Sequence, residues 1–131
     1  MDIIIILQVL AVLFFHWIAD FLFQTTYMGT YKGRSKAVLT THVVVYTITM
    51  TWLMAIAGFF PHAVQLFAFA GLVFIFHWLT DFATSRLTGP QFEKKKYNGP
   101  TGAFTIIGFD QFLHFAQLLT ILYTIQHYVK F

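Results

Sequence analysis

The stretch IIIILQVLAVLFFHWIADFLFQTTY, Ile3 to Tyr27, decides the fold. A helix crosses a hydrocarbon core with about 20 mostly apolar residues, and this run is long enough. Yet it carries a histidine and an aspartate, His16 and Asp20, four positions apart. Three more segments share its character, at about 37–60, 62–87 and 103–128. None alternates apolar with polar residues as membrane β-strands do, so helix is the expectation. Gly58-Phe59-Phe60-Pro61 marks a turn between the second and third segments. Residues of about 28–36 and 88–102 remain as polar loops, the longer one holding Gly89-Pro90 and Asn98-Gly99-Pro100. The expected fold is all-α: a four-helix transmembrane bundle in a single domain over residues 1–131.

Composition agrees. The chain is 58% hydrophobic and 10% charged, with 17 phenylalanines in 131 residues. A water-soluble domain this short cannot hide that much apolar surface, so lipid must cover it. The first segment has no basic start and no small-residue cleavage site, and reads as a retained helix rather than a signal peptide. There is no cysteine, which excludes disulfides and thiolate metal sites. Seven of the eight basic residues (Lys32, Arg34, Lys36, Arg86 and Lys94 to Lys96) flank the two polar loops; Lys130 is the other. By the positive-inside rule those loops are cytoplasmic and both termini face outward. The Lys94–Lys96 run reads as a solvated anchor at the headgroups, and no nucleic-acid partner is expected.

An internal repeat is visible. Phe15-His16-Trp17-Ile18-Ala19-Asp20-Phe21 matches Phe76-His77-Trp78-Leu79-Thr80-Asp81-Phe82 at five of seven positions. Each copy sits in the first helix of a hairpin, which suggests a bundle made of two similar helical hairpins.

Three of the five acidic residues, Asp20, Asp81 and Asp110, fall inside apolar segments, with His16, His42, His77 and His114. Ionisable groups within spans are costly and face a bundle interior or a cavity. His16/Asp20 and His77/Asp81 are spaced i, i+4, and Asp110/His114 repeats the spacing in reverse. Residues four apart share one helix face. Reversal in an antiparallel helix brings like groups to like depth. At about 1.5 Å rise per residue, Asp20, His42, Asp81 and Asp110 lie roughly 8–10 Å inside the basic-loop end, with His16, His77 and His114 roughly 6 Å deeper.

These seven residues are the candidate metal ligands. Imidazole and carboxylate donors inside a four-helix bundle hold one or two divalent ions, and the donor set suits Zn first, with Mn, Fe or Mg as alternatives. Asp20, Asp81 and Asp110 are the candidate catalytic carboxylates. Gln24, Gln111, Tyr46, Thr40, Thr41 and Thr80 lie at similar depth and could support the ligands. The competing reading of such groups is a set of His–Asp hydrogen bonds that join helices.

The ordered pattern His16-x-x-x-Asp20-Phe21-x-x-Gln24, His42, His77-x-x-x-Asp81 and Asp110-Gln111-x-x-His114 resembles a bacterial and phage membrane-protein family, domain of unknown function 3307. The resemblance covers nearly the whole chain. It implies a small helical membrane protein of a bacterium or its phage and supplies no reaction; the expected location is the bacterial inner membrane, as a multi-pass protein. A looser similarity runs to small membrane-bound metal-dependent hydrolase-like proteins. Lipid phosphatases are a poor match, because Ser85-Arg86 follows His77 instead of preceding it, and the only glutamate, Glu93, forms no zinc-protease motif.

The function expected on these grounds is a metal-dependent hydrolase embedded in the bilayer, acting on a lipid or small substrate at the cytoplasmic leaflet. Two alternatives come from other classes. One is a proton or metal-ion transporter or channel, which in so small a chain calls for a homo-oligomer. The other is a non-catalytic accessory protein of a bacterium or phage.

Overall fold

A computed structural model describes residues 2–129 and is a helical bundle. Lys130 lies outside the described residues. Four helices among those described are long and apolar enough to cross a membrane. Helix α1 spans Ile3–Trp17, starting where the Asp2 carboxylate accepts from the Ile4 N–H. One π-helical turn, Ile18–Leu22, continues it. Short helix α2 is Thr26–Tyr31, α3 is Lys36–Ile56, α4 is Ala63–Glu93 and α5 is Ala103–Tyr128. Thr25 and Ser35 cap α2 and α3 with their side-chain oxygens. Helix α4 packs most extensively on α5 and next on α3, while α1 fits against α3 and α5.

The bundle divides along its length. One half is apolar, with Val12, Met50, Met54, Phe69, Leu118 and Ile125 packed together. The other half, toward the basic loops, buries His16, Asp20, His42, His77, Asp81, Asp110 and His114. The outer faces stay apolar and exposed, as at Leu10, Ile48, Phe67 and Phe112, which suits lipid contact.

Three boundaries differ from the sequence expectation. The second span ends at Ile56 rather than about residue 60, and two others differ more. A short helix, α2, also forms largely within the expected 28–36 loop. The first span does not reach Tyr27: the Phe23 N–H bonds to the Ile18 carbonyl, a five-residue step, and the helix stops at Leu22. A wide turn of this kind shifts the face of every residue beyond it and recurs at functional sites. The third span does not stop at Leu87 but passes through Gly89-Pro90 to Glu93. Proline near a helix end removes a single backbone bond, so the end tolerates it better than the interior. The helix then closes with the Lys96 N–H on the Gln91 carbonyl, and Lys95 takes the left-handed φ of 54°. At 31 residues α4 is about 46 Å long, well beyond a hydrocarbon core of about 30 Å. Its last turns wall a cavity.

The corner between α2 and α3 presses onto α4. A Cβ at Gly33 would lie 2.7 Å from the Ser85 carbonyl oxygen. Gly33→Ala should therefore push the corner off α4 and destabilise the fold by about 1–3 kcal/mol, read as a lower unfolding midpoint in detergent. Gly71, in mid-α4 with nothing within 4 Å, is the control, and Gly71→Ala should not destabilise.

Candidate functional site

The i, i+4 pairs and the antiparallel packing of α4 on α5 bring the polar side chains together. Asp20, His42, His77 and Asp81 each present one ligand atom, all within 4.8 Å of one another. His42 Nε2 lies 3.1 Å from Asp20 Oδ1, 3.2 Å from Asp81 Oδ2 and 3.3 Å from His77 Nε2. His77 Nε2 lies 3.7 Å from Asp20 Oδ1 and 3.6 Å from Asp81 Oδ2. Tetrahedral coordination at about 2.0–2.1 Å puts ligand atoms about 3.3–3.4 Å apart. These separations are close to the edges of such a tetrahedron, and the four residues could hold one ion. Asp20 Oδ1 is buried and accepts no hydrogen bond of good geometry, with the His42 ring nitrogen 3.1 Å away.

A second group, Asp20, Asp110 and His114, also lies within 4.8 Å. Its atoms are already engaged. Asp110 Oδ1 lies 2.5 Å from the Thr84 hydroxyl, and its Oδ2 accepts from Gln111 Nε2 at 3.1 Å. His114 Nε2 is 3.1 Å from Asp81 Oδ1. The first group is the better metal site because it offers four ligand atoms to the second group's three, although Lys32 also reaches its Asp81 Oδ2.

His16 joins neither group, although it shares the repeat with His77. The Gln111 amide nitrogen faces Asp20 Oδ2 at 3.2 Å and Asp110 Oδ2, so its oxygen faces His16. His16 Nε2–H donates to that oxygen at 2.8 Å. Its Nδ1 is left to accept from the Tyr46 hydroxyl at 2.7 Å. Both nitrogens are spent, and His16 positions Gln111 rather than offering a ligand atom. The repeat diverges because its first copy runs into the π-helical turn while the second stays in regular helix.

His77 is oriented by stacking, its ring centroid 3.8 Å from that of Tyr46 and 4.2 Å from that of His114. Its Nδ1 has no partner. The other polar neighbours divide. Gln111 and Tyr46 support the cluster as described. Thr40 instead accepts from Trp78 Nε1, Thr41 bonds back to the Ala37 carbonyl, and Thr80 accepts from Gln117. Gln24 lines the cavity with its Oε1 unpartnered.

Sequence reasoning missed two participants. Thr84, which no sequence motif marks, donates its hydroxyl to Asp110. Lys32 was grouped with the loop cations, yet its ammonium reaches inward to Asp81 Oδ2 at 2.7 Å and lies 3.4 Å from His42 Nε2. Burial works against that charge, but Asp81 and Asp20 outweigh it and hold the Lys32 pKa above its ordinary value.

The cluster opens on a cavity of about 570 Å³ toward the basic loops. Asp20, Asp81, Asp110 and Gln111 line it from the bundle side, and Arg34, Arg86 and Glu93 from the other. Arg34 pairs with Glu93, tying the start of α3 to the end of α4. The Arg86 guanidinium lies 3.7 Å from the Phe82 ring centroid and donates to the Phe82 carbonyl.

Gln111 joins His16 to two carboxylates, so removing it strands several buried polar groups together. Gln111→Leu should lower stability by at least about 1–3 kcal/mol, seen in denaturant unfolding in detergent. Phe112→Leu, on the exposed face beside it, should change stability little.

Comparison with known proteins places the chain without naming a reaction. No curated protein and no solved structure matches it, so the looser likeness to metal-dependent hydrolases gains no support there. A family model described as Protein of unknown function (DUF3307) matches residues 6–130, nearly the whole chain, and the chain belongs to that family.

Proposed function

We propose that the protein is a metal-dependent hydrolase of the membrane, with one divalent ion held by Asp20, His42, His77 and Asp81. The observation that carries the reading is the set of separations from 3.1 to 3.7 Å among two imidazole nitrogens and two carboxylate oxygens. Zn fits this donor set and geometry best, with Mn, Fe or Mg as the alternatives. Charge supports it. Asp20, Asp81 and Asp110 face one half-buried lysine, Lys32, and the imidazoles of His42, His77 and His114. A divalent ion bound by neutral imidazoles would take the place of protons on those rings in balancing the carboxylates, in a medium where unbalanced charge is costly.

A bound ion supplies a Lewis acid and acidifies a coordinated water. The chain supplies the rest. Asp110 stands outside the four-ligand set and lines the cavity, which makes it the carboxylate to accept a proton during attack on substrate. Gln111 and Thr84 hold its two oxygens in place. The cavity volume is within the range of small-molecule sites, and Phe21 and Phe92 on its lining give it apolar surface beside the charges. A lipid headgroup or another small polar substrate fits that mixture. By the placement of the basic residues, this mouth faces the cytoplasmic leaflet of a bacterial inner membrane, with both termini outside.

The transporter reading is weaker. The half of the bundle away from the cavity is filled mainly by the apolar cluster around Met50, Met54 and Phe69, with Thr47, Thr51 and Gln65 as buried polar groups among the described residues, which disfavours an ion path through a single chain. A homo-oligomer that conducts ions would show flux in liposomes.

Chelator-stripped protein in detergent should take up about one Zn per chain. Asp81→Asn or His42→Ala should weaken that uptake on the order of 100-fold, while His16→Phe keeps the stoichiometry. Asp110→Asn should retain the metal and lose roughly 10²–10⁴ in turnover of a lipid ester presented in mixed micelles. Chain that binds no divalent ion under any of these conditions sinks the reading. Ion flux abolished by Asp81→Asn, without hydrolysis of any lipid tried, would select the transporter.

A further inference from the structure

We infer that Lys32 is a tethered cation that occupies the edge of the four-ligand position in the metal-free protein and that an entering divalent ion expels it into the cavity. The inference rests on the metal reading above and adds a competitor to it. The Lys32 ammonium lies 2.7 Å from Asp81 Oδ2 and 3.4 Å from His42 Nε2, and both atoms belong to the ligand set. An ion bonded to those atoms would make the ammonium its direct neighbour. It would also need the Asp81 lone pair that the ammonium now holds. Two positive charges side by side in a site with little water repel strongly, so both cannot stay.

The exit follows from the local build. Gly33 packs its backbone on the Ser85 carbonyl, which pins the corner that carries Lys32. The side chain alone must swing, and a lysine stem is flexible enough to do so. Asp81 and His42 stand behind it, nearly fully buried, while the Lys32 side chain is 15% exposed and already lines the cavity. Turned outward, its ammonium stands in the same cavity as Arg86. Metal loading therefore changes the cavity as well as the ion site: a free cation appears there only when the metal is in place. Without an ion the same lysine would keep Asp81 paired, which avoids an uncompensated buried carboxylate.

The test uses full-length protein in detergent, stripped with chelator and titrated with Zn against a chromophoric chelator. Lys32→Met and Lys32→Gln, the second keeping a hydrogen-bond donor, should each bind Zn at least about tenfold tighter than the parent, because no competitor remains. In the parent chain, an amine-acylating reagent read by peptide mass spectrometry should label Lys32 slowly without Zn and several-fold faster with it. Tighter binding by the variants together with metal-dependent labelling supports the inference. Zn binding by the variants alone, with none by the parent, overturns it, because no ion then displaces Lys32 in the native chain. Equal affinity in all three chains overturns it and leaves the metal reading intact, as does Lys32 labelling that stays slow when Zn saturates the parent. No Zn binding by any chain overturns both.

Discussion

The Asp81 carboxylate is the interaction on which the rest of the structure depends. It is 1% exposed, inside a helix long enough to cross a bilayer, and both of its oxygens are engaged. Oδ1 meets His114 on α5, and Oδ2 meets His42 on α3 and Lys32 at the corner after α2. A charge buried there is tolerable only if partners reach it from several directions at once. That requirement sets the relative rotation of α3, α4 and α5 about their axes, and it pulls inward a loop lysine that water would otherwise hold. The apolar half of the bundle packs by shape and tolerates exchange among similar side chains; the polar half does not.

Around that carboxylate the sequence builds in layers. Gln111 spans Asp20 and Asp110, and His16 with Tyr46 holds Gln111 from behind. The aspartates are thus held by a chain of donors rather than by one bond each. The extension of α4 to Glu93, joined to Arg34, walls a cavity directly over the carboxylates. A buried ionic cluster alone would be a fastening between helices. A cluster with a carboxylate oxygen that accepts no well-formed hydrogen bond, near-tetrahedral spacing and its own cavity has the makings of a binding centre.

Much of this was legible in the residues. Long apolar runs without alternation gave four spans, and His-x-x-x-Asp on two helices with its reversal on a third implied a shared slab. Helical periodicity is regular, so those inferences carry from sequence to space. What was not legible depends on departures from regularity or on contacts distant in sequence. Nothing local marks Ile18–Leu22 as a π-helical turn, and that turn leaves His16 facing Gln111 while Asp20 faces His42. Lys32 and Lys36 look alike as loop cations; the seating of Gly33 on Ser85 and the Asp81 carboxylate together turn the first inward. Gly89-Pro90 reads as a break, yet so close to the helix end the lost bond is tolerated and α4 continues.

The central claim is that two imidazoles and two carboxylates form one coordination sphere. X-ray absorption at the Zn edge of the loaded protein tests it most directly. The account predicts a four-coordinate ion with two imidazole nitrogens and two carboxylate oxygens at about 2.0–2.1 Å, the imidazole signal falling by half in His77→Ala. A six-coordinate, water-rich sphere without imidazole scattering would contradict it.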